Sequence, residues 1–191
     1  VNRAGAVGVS SGMKEQSTGT VSAGVTLGLF AAWALHDAEE TAMMPYWTRT
    51  RVPELRKSAP WVPEAVWTRL EATDGRQFAA AVGVMAVLVG AAAAEGHRTG
   101  GRSATYQAAL GAFGAHGVLH LAQAAATRSL TPGALTSPLV VLPFAVRARA
   151  ILREQGVLRP ARPRDVAASA VGALGALAVS HGVARLLVRR R

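Results

Sequence analysis

The chain has 191 residues, 50% of them hydrophobic and only 17% charged, with a mean hydropathy of +0.24; soluble domains carry about a quarter charged residues, so a disordered or fully solvated protein is excluded. The formal charge of +10 comes from basic residues that lie between or beyond apolar runs and form no stripe interleaved with aromatics, which fits anionic lipid headgroups and excludes a nucleic-acid partner. Cysteine is absent, so disulfides, thiolate ligands and a cysteine nucleophile are excluded, and chemistry falls to His, Glu, Asp or backbone.

In chain order, residues 1–17 read as a loose tail, the initial Val being a start codon taken literally or set too early, since Met13 and Lys14 follow. Residues 18–191 read as a single transmembrane helical domain. Runs of Ala, Val, Leu and Gly suit close-packed helices in lipid. Five apolar stretches approach the ~20 residues that cross the hydrocarbon: Val21–Met44, Phe78–Ala94, Ala104–Thr127, Leu135–Ile151 and Val166–Val188. A cleaved signal ending near Ala32–Ala34 is disfavoured, because the first run continues past that point and more follow. Between the first two stretches, Pro53–Thr73 mixes Trp61, Val62, Val66, Trp67 and Leu70 with Arg56, Lys57, Glu64 and Arg69. That mixture predicts an interfacial amphipathic helix with its tryptophans at headgroup level. Pro138 and Pro143 interrupt the fourth stretch, which is then kinked or re-entrant. Gly83 and Gly90, Gly111 and Gly114, and Gly172 and Gly175 are expected at close helix contacts. The expected fold is therefore an all-α polytopic transmembrane bundle of about five spans, integral to a membrane and most simply a bacterial cytoplasmic membrane. The 21 Lys and Arg divide almost evenly between its two sides, so charge bias sets no orientation.

Ionisable groups inside apolar spans cost several kcal/mol unless paired or functional, which singles out His36, Asp37, Glu39 and Glu40. At ~100° per residue, Glu40 lies about 40° and Glu39 about 60° to either side of His36, while Asp37 turns away. Trp33, Met43 and Trp47 fall in the same sector as His36 and make an apolar seam around it. On the third stretch His116, His120 and Gln123 share one face. Spans one, three and five run in the same direction, so His36, His116 and His181 fall at matching depth. Pairing of buried His and Glu as interhelical glue is the bland alternative. For His181, which has no polar neighbour one turn away, simple packing is favoured. His97, in loop composition, is assigned no role.

The run His36-Asp37-Ala38-Glu39-Glu40 resembles the signature of the HXXEE-domain family of small polytopic membrane proteins. Gly114-Ala-His116-Gly-Val-Leu-His120-Leu-Ala-Gln123 is similar to that family's later histidine-rich helix, and Leu130-Thr131-Pro132-Gly133 and Leu142-Pro143 fit it as well, over Leu27 to Ile151. The resemblance implies a polar membrane site at His36, Glu39, Glu40, His116 and His120, with no reaction attached.

Three chemistries are open. In the first, His36, Glu40, His116 and His120 hold Zn or Fe, as one ion or two, with Glu39 spare to bridge a second ion or move protons, although the spacing here is HxxE and bundle-core metal sites use ExxH. In the second no metal binds, and a protonated buried glutamate, Glu39 or Glu40, works with His36 as the acid–base pair of an isomerase or cyclase. The third is a proton- or ion-coupled transporter or a structural membrane protein. Haem ligation by His36 or His116 is a branch of the first. Trp33, Asp37, Met43, Trp47, Gln123 and His181 are the expected pocket and outer-shell residues. The seam predicts an apolar or lipid-like substrate, and no P-loop, serine elbow or HExxH is present.

Overall fold

The computed structural model describes residues 21–189 apart from Thr73 and Ala161; the tail expected over residues 1–17 lies outside the described residues. The described residues form helices and no strand: α1 (Ala23–Thr26), α2 (Gly28–Thr50), α3 (Val52–Ser58), α4 (Glu64–Glu71), α5 (Gly75–Arg98), α6 (Ala104–Thr127), a π-helical turn (Ser137–Val141), α7 (Leu142–Glu154) and α8 (Pro163–Arg189). The all-α expectation holds, and the five-span count is supported only in part. Among the described residues two helices are long and apolar enough to cross a membrane, α5 and α8, whose best windows have mean hydropathy 2.0 and 1.6. α2 carries His36, Asp37, Glu39 and Glu40, so the groups that build a site lower its apolarity. α7 follows the π turn without a break, and this fourth segment carries Pro138, Pro143, Arg147, Arg149 and Arg153, which lower its apolarity.

The single amphipathic helix expected over Pro53–Thr73 is two short helices. Ala59 leaves helical geometry at φ −128°, ψ 63°, and Pro63 starts α4 where its missing N–H costs nothing. Trp67 is buried and Trp61 stands 78% exposed. Arg56 ties the two helices together, bonding both carboxylate oxygens of Glu71 at 3.0 Å and also Glu64.

α5 is the central element, packed along α2, α6 and α8. The core that positions the site is built from Val25, Leu29 and Trp33 of the first helices, Tyr106, Leu110 and Phe113 of α6, and Val141, Ala145 and Leu152 of the fourth segment. Tyr106, fully buried, donates its hydroxyl to the Val25 carbonyl at 2.6 Å, so its polar tip is satisfied inside an apolar contact. Close approach of α6 to the fourth segment depends on Gly114 and Gly117: a Cβ at Gly117 would stand 2.8 Å from Val141, and one at Gly114 3.2 Å from Ala145. The packing role expected for Gly83, Gly172 and Gly175 is not found, since a Cβ at any of the three would meet nothing within 4 Å among the described residues.

The proline-interrupted fourth segment is helical throughout and opens on a π turn. The Leu142 N–H reaches five residues back to the Ser137 carbonyl, the spacing of a π turn. Pro138 and Pro143 offer no N–H to an α ladder. Ser137 covers the same end, donating both its N–H at 3.1 Å and its hydroxyl at 2.7 Å to the Gly133 carbonyl.

Candidate metal centre

The site forms where α2, α6 and the turn leading into the π segment meet. His36 and Glu40 lie one turn apart on α2, and His116 and His120 one turn apart on α6, so each helix presents two side chains on one face. Glu40 is the hub: its Oε1 lies 3.2 Å from His120 Nε2, and its Oε2 lies 3.8 Å from His116 Nε2 and 3.9 Å from His36 Nε2. His116 and His120 bring their Nε2 atoms to 2.8 Å. The imidazoles meet edge to face, with centroids 4.2 to 5.2 Å apart. One ligand atom from each of the four residues lies within 4.8 Å of all the others. Ligands of a tetrahedral zinc at 2.0–2.1 Å stand about 3.3 Å from each other, so small side-chain adjustments suit the group to a metal ion.

The tautomer of His36 follows from its neighbours. Glu39 is turned to the other side of His36, where its carboxylate accepts the backbone N–H of Leu135 at 3.1 Å and of Thr136 at 2.8 Å, and the Thr136 hydroxyl at 2.5 Å. With its one proton given to Glu39, Thr136 Oγ1 can only accept from His36 Nδ1, 2.7 Å away. Nδ1 is therefore the protonated nitrogen, and Nε2 directs a bare lone pair into the cluster. That atom is buried and has no hydrogen-bond partner, and His36 itself is fully buried. A buried, unpartnered imidazole nitrogen beside a carboxylate and two further imidazoles is a donor without an acceptor of its chemistry, which a metal ion supplies.

Gly133 makes this arrangement possible. It sits at φ +79°, and a Cβ there would come 2.7 Å from His36 Cε1 and 2.9 Å from both Cε1 and Nδ1 of His120. The turn Leu130–Gly133 thus packs its backbone onto two imidazoles and then delivers Thr136 to His36. His116, with its side chain 45% exposed against 0% for His36 and 8% for His120, leaves the cluster open on its own side.

The structure brings together His36, Glu40, His116 and His120 as expected from sequence, and places the other expected residues elsewhere. Glu39 is a ligand of the Leu135–Thr136 backbone, not a spare carboxylate in the cluster. Trp33 is buried in the core one turn before His36. Asp37, 8% exposed, faces a groove between α2 and α5. Met43 and Trp47 lie about 10 and 16 Å along the axis from His36 at 1.5 Å per residue, outside the cluster. Gln123 is exposed and its side chain makes no hydrogen bond among the described residues. It shares the His116 face, but two turns on. His181 lies beside Phe78, the rings tilted by 49° with centroids 6.5 Å apart, in a separate cavity of about 340 Å3 beside Arg185. His97 is engaged with Thr26 at 3.3 Å. Sequence reasoning missed Thr136 and the role of Gly133. Their one signal was the Thr131-Pro132-Gly133 turn.

Residues 27–148 match the family model described as a protein of unknown function with HXXEE motif. No curated protein and no solved structure matches the chain. All four residues of the cluster, together with Glu39, Gly133 and Thr136, fall within the matched range.

Proposed function

The chain belongs to the HXXEE family, and on that premise we propose that it is an integral membrane enzyme that binds zinc or iron through His36, Glu40, His116 and His120 and acts on an apolar, lipid-like substrate. The observation that carries the proposal is the convergence of three imidazoles on Glu40 with the His36 Nε2 lone pair unpartnered. Nitrogen and carboxylate donors suit zinc or iron. One ion fits better than two, because Glu39, the carboxylate that would bridge a second, is committed to Leu135 and Thr136. Support for the membrane comes from α5 and α8, each long and apolar enough to span. α8 leaves Val171, Leu174 and Leu186 at least 60% exposed, surface that lipid covers and water does not favour.

Bound there, zinc or iron supplies Lewis acidity and a route to an activated water. The chain's own residues divide the remaining work. Glu39 and Thr136 hold the His36 ring and its tautomer, Glu40 ties the two helices across the site, and His116 at the open edge is where a substrate's polar atom approaches. Phe113, whose ring meets His36 edge to face at 5.9 Å, keeps water from the inner side.

Elemental analysis of detergent-purified protein tests this reading. The expected result is about one zinc or iron per chain, lost in the His116→Ala, His120→Ala double variant with helical content unchanged. Absence of metal from a folded wild-type protein overturns it and turns the reading toward metal-free acid–base chemistry or proton-coupled transport.

A further inference from the structure

Asp37 is the ionisable group of α2 that the cluster does not use. The residue is 8% exposed, and its carboxyl has neither hydrogen bond nor ion pair among the described residues. It lines an outward-opening groove of about 520 Å3 between α2 and α5, whose walls are Phe30, Trp33, Ala38, Val82 and Gly83, with Thr41 one turn further along the same face. The Thr41 hydroxyl likewise makes no hydrogen bond among the described residues. Phe30 and Trp33 form one aromatic wall, their centroids 5.7 Å apart. On the opposite wall Gly83 leaves the space open, since a Cβ there would meet nothing within 4 Å.

A buried carboxyl, in either protonation state, costs free energy until it finds a hydrogen-bonding partner. No wall residue, Thr41 included, makes that bond, and the volume is in the range of small-molecule sites. The ligand that fits has an apolar body along Phe30, Trp33 and Val82 and one polar head at Asp37. A hydroxyl suits that head best: it both donates and accepts, so it can satisfy the carboxyl and the neighbouring Thr41 together, and it enters an apolar groove with little desolvation, whereas an ammonium must shed a tightly held hydration shell. We propose that the α2–α5 groove is a binding site for a long-chain apolar alcohol, held by its hydroxyl at Asp37. The site deepens the reading of a lipid-like substrate and rests on it for that role, since Glu40 follows Asp37 by one turn, but binding itself needs no metal.

Trp33 supplies the readout. A terminally brominated long-chain primary alcohol should quench Trp33 emission saturably in detergent-solubilised protein, and the quenching should vanish in Trp33→Phe. The bromoalkane of equal length should bind at least tenfold more weakly. Asp37→Leu should weaken the alcohol by about ten- to a hundredfold, the loss expected for one hydrogen bond to a carboxyl group, with far-ultraviolet dichroism unchanged. Gly83→Phe, which leaves Asp37 in place and fills the open wall, should abolish quenching and guards against an Asp37 variant that does not fold. Equal binding of alcohol and bromoalkane, wild-type affinity in Asp37→Leu, or preference for the corresponding ammonium would each overturn the proposal. Because binding is measured without turnover and with the metal left as purified or stripped, its failure is separate from failure of the metal reading.

Discussion

Replacing Thr136 by Val tests the assignment of His36 most sharply. The side chains are nearly isosteric, and the backbone N–H groups of Leu135 and Thr136 that hold Glu39 at 3.1 and 2.8 Å remain. What disappears is the hydroxyl that joins His36 Nδ1 at 2.7 Å to Glu39 Oε2 at 2.5 Å. His36 then keeps a buried N–H with no acceptor, at a cost of about 1–3 kcal/mol, and it can relieve that cost by moving its proton to Nε2, the atom needed for a metal. Outer-shell partners of this kind change metal affinity by about 10–100-fold, or about 1.4–2.7 kcal/mol. The assay is competitive zinc titration of detergent-purified protein against a chelator, run on the wild type, Thr136→Val and Thr136→Ser. Serine restores the hydroxyl and should restore most of the affinity. A Val variant within twofold of wild type would refute the argument, because it would mean that His36 holds its ligating tautomer without Thr136.

The two glutamates should separate cleanly. Glu40→Gln should lose metal and the stability that the bound ion lends, while Glu39→Gln, whose amide N–H2 would face the N–H groups of Leu135 and Thr136, should cost about 1–3 kcal/mol of stability in metal-stripped protein as well, read from the unfolding midpoint. Gly133→Ala should cost at least ~1–2 kcal/mol for the left-handed backbone alone and should also release metal, since its Cβ would press on His36 and His120; elemental analysis beside thermal unfolding checks both. Tyr106→Phe, which removes the bond to the Val25 carbonyl, should lower stability by about 1 kcal/mol and leave metal content at the wild-type level.

Angular projection found the four-residue cluster because a helix fixes the direction of each Cβ, and two helices with i,i+4 polar pairs had little else to bury against. The same projection put Glu39 with Glu40. A 60° offset looks small on a wheel, yet it was enough to face a different neighbour, the turn after Gly133, whose position depends on tertiary packing that no periodicity encodes. Gln123 failed in the other coordinate: its face was right and its height along α6 was wrong. α5 and α8 were legible as span-length apolar helices. The division of the α3–α4 region follows from Pro60 and Pro63, which the amphipathic pattern of Trp, Val and Arg had outweighed. Asp37 was recognised as off the cluster's face, but the groove it enters is made jointly with Val82 and Gly83 of α5 and has no trace in α2 alone.

The π turn at Ser137–Val141 makes residue counting part of the site. Its bond from Leu142 to Ser137 accommodates one residue beyond the α repeat. Deleting a single residue there would turn everything before it by about 100° and draw it in by about 1.5 Å relative to α7. Gly133 would swing off the two imidazoles, and Thr136 off His36, although no ligand had been altered. The interval between Gly133 and Pro143 therefore works as a phase setting, and among proteins that keep the His and Glu signature its length should be held fixed.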